Sequence, residues 1–168
     1  MGPGGLVSQA IAGVDCAMWD LRGRLLGEPV WALLGGRFRT EIPLYGSFSI
    51  GPAARRLTPT RAAETAAQLV ADGFGAIKVR LGIREEHADP PPDQDPALPT
   101  VREVRRAIGD AIPLYVDANN GYRPARAIEV GRRLAGDFGV SVFEEPVAAY
   151  HYPSLGRVSD ALGGSGLT

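Results

Sequence analysis

The chain has 168 residues, 45% of them hydrophobic, enough for one domain with a buried core. Its 18 basic and 19 acidic residues leave a net charge of −1 with no long run of either sign, so neither a nucleic-acid footprint nor an anionic-membrane partner is expected. The single cysteine, Cys16, excludes an internal disulfide and fits a reducing compartment. No apolar run reaches bilayer-spanning length, and the opening MGPGGLVSQAIAG lacks the basic start and long apolar middle of a secretion signal. A soluble cytoplasmic protein is the expectation.

The first predicted helix runs from Ser8 to Leu26. Ile11, Val14, Met18, Leu21 and Leu25 recur at alternating spacings of three and four and form one stripe. Gly27 stops it, and Pro29 suits the first turn of a short helix from Val30 to Leu34, closed by Gly35-Gly36. No strand precedes this pair, so it reads as an appendage to the domain that follows.

From Glu41 strands and helices alternate. Ile42–Tyr45 is the first predicted strand. A helix from Thr60 to Asp72 follows, with Thr58 as its cap, Pro59 at its first position and Gly73 as its end. Ala76–Leu81 is the second strand. The sequence Thr100-Val-Arg-Glu103 has the form of a capping box opening a helix with Val101, Val104 and Ile108 on one face. Pro113–Val116 is the third strand, Pro124 to Ala135 a helix closed by Gly136, Val140–Phe143 the fourth strand, and Tyr152 to Leu162 a last helix. Strand starts near 42, 76, 113 and 140 recur at roughly the 30-residue period of a βα unit. The longer second unit is explained by residues 87–99, rich in proline and aspartate and read as an exposed loop.

Charged residues fall at the ends of successive strands: Lys78 and Arg80 in AIKVRLG, Asp117 in LYVDANNGY, Glu144 in VFEEP. If the strands are neighbours and parallel, these groups meet on one rim, and two carboxylates with two cations there have the character of a metal-assisted site. Four βα units permit an open doubly wound sheet or half of an eight-stranded barrel. The first strand runs into YGSFSIGPAARRL, without the glycine-rich phosphate loop of the open sheet. A barrel also accounts for chemistry at the end of strand after strand.

The run AIAGVDCAMWDLRGRLLGEPVWALLGG (residues 10–36) resembles the helical segment that precedes the barrel in the mandelate racemase/muconate lactonizing branch of the enolase superfamily. VDANNGY resembles that family's third-strand motif and FEEP its fourth, while IKVRLG stands where the family carries Lys-x-Lys. The likeness extends from Ala10 to about Leu162, with the motifs in order. It implies that residues 1–40 are a helical remnant of the capping domain. Residues 41–168 would be the first half of a TIM-type (β/α)₇β barrel.

The resemblance also implies a chemistry. The family removes a proton from the carbon beside a carboxylate, and the resulting enolate needs concentrated positive charge, which Mg²⁺ supplies as a Lewis acid. Oxygen ligands at neighbouring strand ends suit Mg²⁺. By position, Asp117 and Glu144 would be ligands. Strand alternation turns Glu145 to the opposite face, and Asn119 would touch a ligand or the substrate. The third carboxylate and the His–Asp base come from later strands, expected beyond the end of this chain. Arg80 stands where Lys-x-Lys members carry the base; a guanidinium stays protonated but suits a substrate carboxylate. Lys78 would act electrostatically or, after reorientation, as a base. A one-base elimination, such as dehydration of a small-molecule acid sugar, fits this set better than two-base racemisation. Racemisation, epimerisation and cycloisomerisation are the alternatives within the family.

Plainer roles compete. Lys78 and Arg80 equally suit strand-end ion pairs, and acids often cap the helix after a strand. Cys16 reads as a small buried residue, Trp19 and Trp31 as packing between cap and barrel, and His87 as solvated. His151 reads as a surface group near the mouth. Two further readings are a truncated, inactive remnant and a half-barrel that associates with a second copy to cover its open strand edges.

Overall fold

The computed structural model describes residues 5–52, 55–82 and 95–167. It divides into two compact units, residues 1–42 and 43–168.

In the first unit α1 (Leu6–Leu26) is followed by the single-turn α2 (Val30–Leu33). Gly27 ends α1 in the left-handed region at φ 69° and donates to the Arg24 carbonyl. Gly23 is the one buried residue of α1, and it must be glycine. A Cβ there would lie 2.7 Å from the Glu28 carbonyl oxygen. Cys16, expected to be buried, is exposed. Trp19 and Trp31 are each stacked by an arginine of this unit, Arg22 at 5.4 Å and Arg37 at 5.0 Å.

The second unit is a four-stranded parallel sheet in the order β1 (Gly46–Ser49), β2 (Ile77–Arg80), β3 (Leu114–Asp117), β4 (Val140–Glu144). Each strand leads into a helix: α3 (Pro59–Ala71), α4 (Ala97–Ile108), α5 (Pro124–Phe138) and α6 (Tyr152–Leu162). Consecutive strands lying side by side in parallel are the topology of consecutive barrel units. Alternation splits each strand between two faces. Ile77, Val79, Leu114, Val116, Val140 and Phe143 face the helices and join Ala66, Val101, Val104, Val130 and Leu134 in one core. The other face carries Ser47, Ser49, Lys78, Arg80, Tyr115 and Asp117, so polar chemistry is confined to it.

Three elements differ from the sequence reading by three residues or more. The first strand is Gly46–Ser49, not Ile42–Tyr45. The apolar IPLY stretch precedes the sheet, and the paired segment is the small GSFS, whose Gly46 passes so near Leu69 that a Cβ would sit 3.0 Å from it. The expected capping box at Thr100 lies inside α4, which begins one turn earlier because the Asp95 carboxylate accepts from Ala97 N–H at 3.0 Å. Asp95 is thus buried, although it falls in the stretch read as an exposed loop. The rest of that stretch, from residue 87 to 94 and including His87, lies outside the described residues. Helix α5 passes through Gly136 and ends at Gly139, at φ 57°, because the apolar spacing Val130, Leu134, Phe138 continues for another turn. Thr58 caps α3, accepting from Arg61 N–H at 3.3 Å. No helix among the described residues is long and apolar enough to cross a membrane.

Candidate active site

The strand register places the predicted residues in one row. Ser49 pairs with Arg80, Arg80 with Asp117, and Asp117 with Glu144, all at the carboxyl ends of their strands. One pair lower, Ser47, Lys78 and Tyr115 are aligned. The register slips by one residue between Leu114 and Tyr115, which sit opposite Val140 and Val142. That bulge advances β4, so Glu144 comes level with Asp117. Ser47 and Ser49 were missed in the sequence because the first strand was placed four residues early.

Lys78 reaches up from the lower row and its ammonium lies between the two carboxylates. Nζ is 3.2 Å from Asp117 Oδ2 and 2.5 Å from Glu144 Oε2. Arg80 Nε is 3.4 Å from the same Asp117 Oδ2. Asp117 is almost wholly buried, whereas Glu144 and Arg80 keep 43% and 46% of their side chains exposed. One side of the cluster is therefore fixed in the protein and the other is open to a ligand. Burial alone would lower the Lys78 pKa. Hydrogen bonds and charge from Glu144 and Asp117 more than offset it, and the net shift is upward. In this arrangement Lys78 is a charge, and it is poorly suited to accept a proton.

Asn119 supports Asp117 directly. Its backbone N–H and its side-chain amide both donate to Asp117 Oδ1 at 2.8 Å. This double contact needs Asn119 at φ 52° and Asn120 at φ 63°, in the left-handed region that asparagine tolerates best among residues with a side chain. Glu145, also left-handed at φ 45°, turns away from Glu144 and accepts from the Asn120 amide at 2.9 Å. The two loops are joined by backbone bonds from Ala118 to Glu144, Asn120 to Glu145 and Tyr122 to Pro146. His151 is exposed and caps α6, its Nδ1 accepting from Ser154 N–H at 3.2 Å.

The donor set fits a hard divalent cation in kind. Two carboxylates from adjacent strands converge on one positive charge, and all their atoms toward it are oxygens. Among the described residues no group of three or more His, Cys, Asp or Glu side chains is placed to hold a metal ion. The described residues bring two carboxylates together here.

A family model described as Enolase C-terminal domain-like matches residues 61–164, and one described as the Mandelate racemase / muconate lactonizing enzyme N-terminal domain matches residues 4–35. D-galactarolactone cycloisomerase of Agrobacterium fabrum is 35% identical over 94% of this chain and 39% of its own length. Arabinonate dehydratase of Saccharolobus solfataricus is 31% identical, with the same coverage of 94% and 39%. Relatives at 28% and 29% identity are a racemase and an epimerase. A crystal structure of a mandelate racemase/muconate lactonizing protein from Paracoccus denitrificans PD1222, complexed with magnesium, matches with a TM-score of 0.80 at 39% identity, over 95% of this chain and 41% of that one. The chain spans 37–41% of the length of these relatives.

Proposed function

Because the chain belongs to the mandelate racemase/muconate lactonizing branch of the enolase superfamily, we propose that it supplies the front part of a site that removes the α-proton of a carboxylate substrate, with dehydration of a sugar acid as the reaction. The observation that carries this reading is the convergence of Asp117 and Glu144 on one cation in a register row with Arg80.

Asp117 and Glu144 would hold Mg²⁺. When bound, the ion supplies Lewis-acid charge against the negative charge that develops as the α-proton leaves. The chain's own residues do the rest. Asn119 fixes the Asp117 carboxylate through two hydrogen bonds, so one oxygen stays turned to the rim. Lys78 adds a second, permanent positive charge beneath the row, where burial strengthens its effect. Arg80, half exposed at the same level, presents a planar fork to the substrate carboxylate. Arg80 stays protonated, and Lys78, held by both carboxylates, would take a proton only after leaving them. A base outside this set is therefore the preferred reading, and a single base favours elimination over racemisation.

Incubation of the full-length protein with Mg²⁺ and a panel of aldonic and aldaric acids in D₂O tests this reading, followed by NMR. Loss of the α-proton signal together with formation of a 2-keto-3-deoxy acid is the expected result. Exchange of the α-proton with inversion and no keto acid would replace dehydration with racemisation. The 35% identity to a cycloisomerase favours a second reading, in which the same proton abstraction leads to ring opening or closure. A lactone substrate consumed without loss of water would establish it.

A further inference from the structure

A second buried charge lies behind the β3–α5 loop, outside the row at the rim. The Asp95 side chain is 2% exposed. Its Oδ1 accepts from Ala97 N–H at 3.0 Å and from the Tyr122 hydroxyl at 2.9 Å; its Oδ2 accepts from Arg126 Nε at 3.2 Å and Nη2 at 2.8 Å. Three separate pieces of chain are tied to this one carboxylate: the start of α4, the end of the loop after β3, and the first turn of α5. A buried ion pair is weak evidence for stability, since desolvation of both charges offsets most of their attraction. A network in which both carboxylate oxygens are used by three elements is better suited to fixing an orientation.

What it fixes is the loop that carries Asn119. Tyr122 closes that loop, with its ring in the core against Phe143, its N–H on the Pro146 carbonyl and its hydroxyl on Asp95. Between Asp117 and Tyr122 stand two consecutive left-handed asparagines, a conformation that persists only where its surroundings hold it. The loop is held on its β4 side by Glu145 and Pro146 and tied to the start of α4 through Asp95. We propose that Asp95 is a positioning residue, which acts through Tyr122 to hold loop 118–122 in the conformation that lets Asn119 orient the Asp117 carboxylate for a divalent cation. The role rests on the reading of Asp117 and Glu144 as cation ligands.

Tyr122→Phe removes one hydroxyl and keeps the ring, and Asp95→Asn keeps the shape and removes the charge. Ile108→Ala, a truncation in the last turn of α4, serves as a control of lowered stability. The four full-length proteins are compared by amide hydrogen exchange and by Mn²⁺ titration. The expected result is faster exchange in 118–122 for Tyr122→Phe and Asp95→Asn, unchanged exchange in 77–80, and Mn²⁺ affinity weakened about tenfold, as for other partners of metal ligands. Ile108→Ala should retain wild-type exchange in 118–122 and wild-type affinity. Unchanged exchange in that loop, equal changes in all three variants, or wild-type affinity despite a loosened loop would overturn the proposal. Faster loop exchange in the two variants, with no Mn²⁺ binding by the wild type, would leave the anchor standing and overturn the positioning role, by removing the cation site beneath it.

Discussion

At the carboxyl end of the sheet Lys78 lies between two side-chain carboxylates, one of them half exposed. At the amino end Arg105, in the last turns of α4, donates to four backbone carbonyls, those of Phe138 at 2.8 Å, Gly109 and Ile112 at 2.7 Å and Gly139 at 3.3 Å. Burial lowers the Arg105 pKa, with a smaller opposing effect of Asp110. The two solutions differ in what can be exchanged. Backbone carbonyls have fixed places in the chain, so Arg105 locks the α4, α5 and strand connections together. A pair of carboxylates can give up an ammonium for another cation. On the proposed function, charge at the amino end serves stability and charge at the carboxyl end serves chemistry, the division of labour expected of barrel strands.

Substitutions at each end should separate the two roles. Lys78→Met has the largest expected effect: turnover of the full-length protein falls more than about 100-fold, the scale of a lost catalytic charge. Divalent affinity should rise at the same time, because the competing ammonium is gone; steady-state kinetics and Mn²⁺ titration together check this. Arg105→Met leaves four carbonyls without their charged donor. It should lower stability by about 3 kcal/mol in urea unfolding, roughly a hundredfold in the folding equilibrium, with turnover of the folded protein unchanged. Arg80→Lys keeps the charge and loses the fork, so KM for the acid should rise about tenfold with little change in kcat. Thr58→Ala, at the carboxyl end but outside the charged row, should cost about 1 kcal/mol by thermal unfolding and leave activity intact. An activity loss there would mean that nearness to the rim, not membership of the row, decides the role.

The sequence made the barrel topology and the row legible for one reason. Strand ends are marked by the change from apolar to charged residues, and consecutive parallel strands bring those ends together. Lys78, Arg80, Asp117 and Glu144 were visible in this way, and Asn119 by its place one alternation beyond Asp117 in a motif that resembles the family's. The first strand was not, because its polar face carries two serines and its other face only a glycine and Phe48, which packs against the core. Asp95 was hidden for a different reason. Its partners Tyr122 and Arg126 lie 27 and 31 residues away, so in the sequence it resembled the prolines and aspartates beside it. An aspartate two residues before an apolar helix was the available signal, and the capping box at Thr100 obscured it. The geometry that brings Lys78 between the carboxylates depends on the bulge in β4, which no local pattern announces.

Mn²⁺ titration of the full-length protein, read from the EPR signal of the free ion, tests the role of the row most directly when wild type is compared with Asp117→Asn and Glu144→Gln. The account predicts a tight site in the wild type that weakens more than about 100-fold in each variant, beyond the range of outer-sphere partners. Equal Mn²⁺ binding by all three proteins would contradict it, and would leave the Lys78 cluster as a structural ion pair.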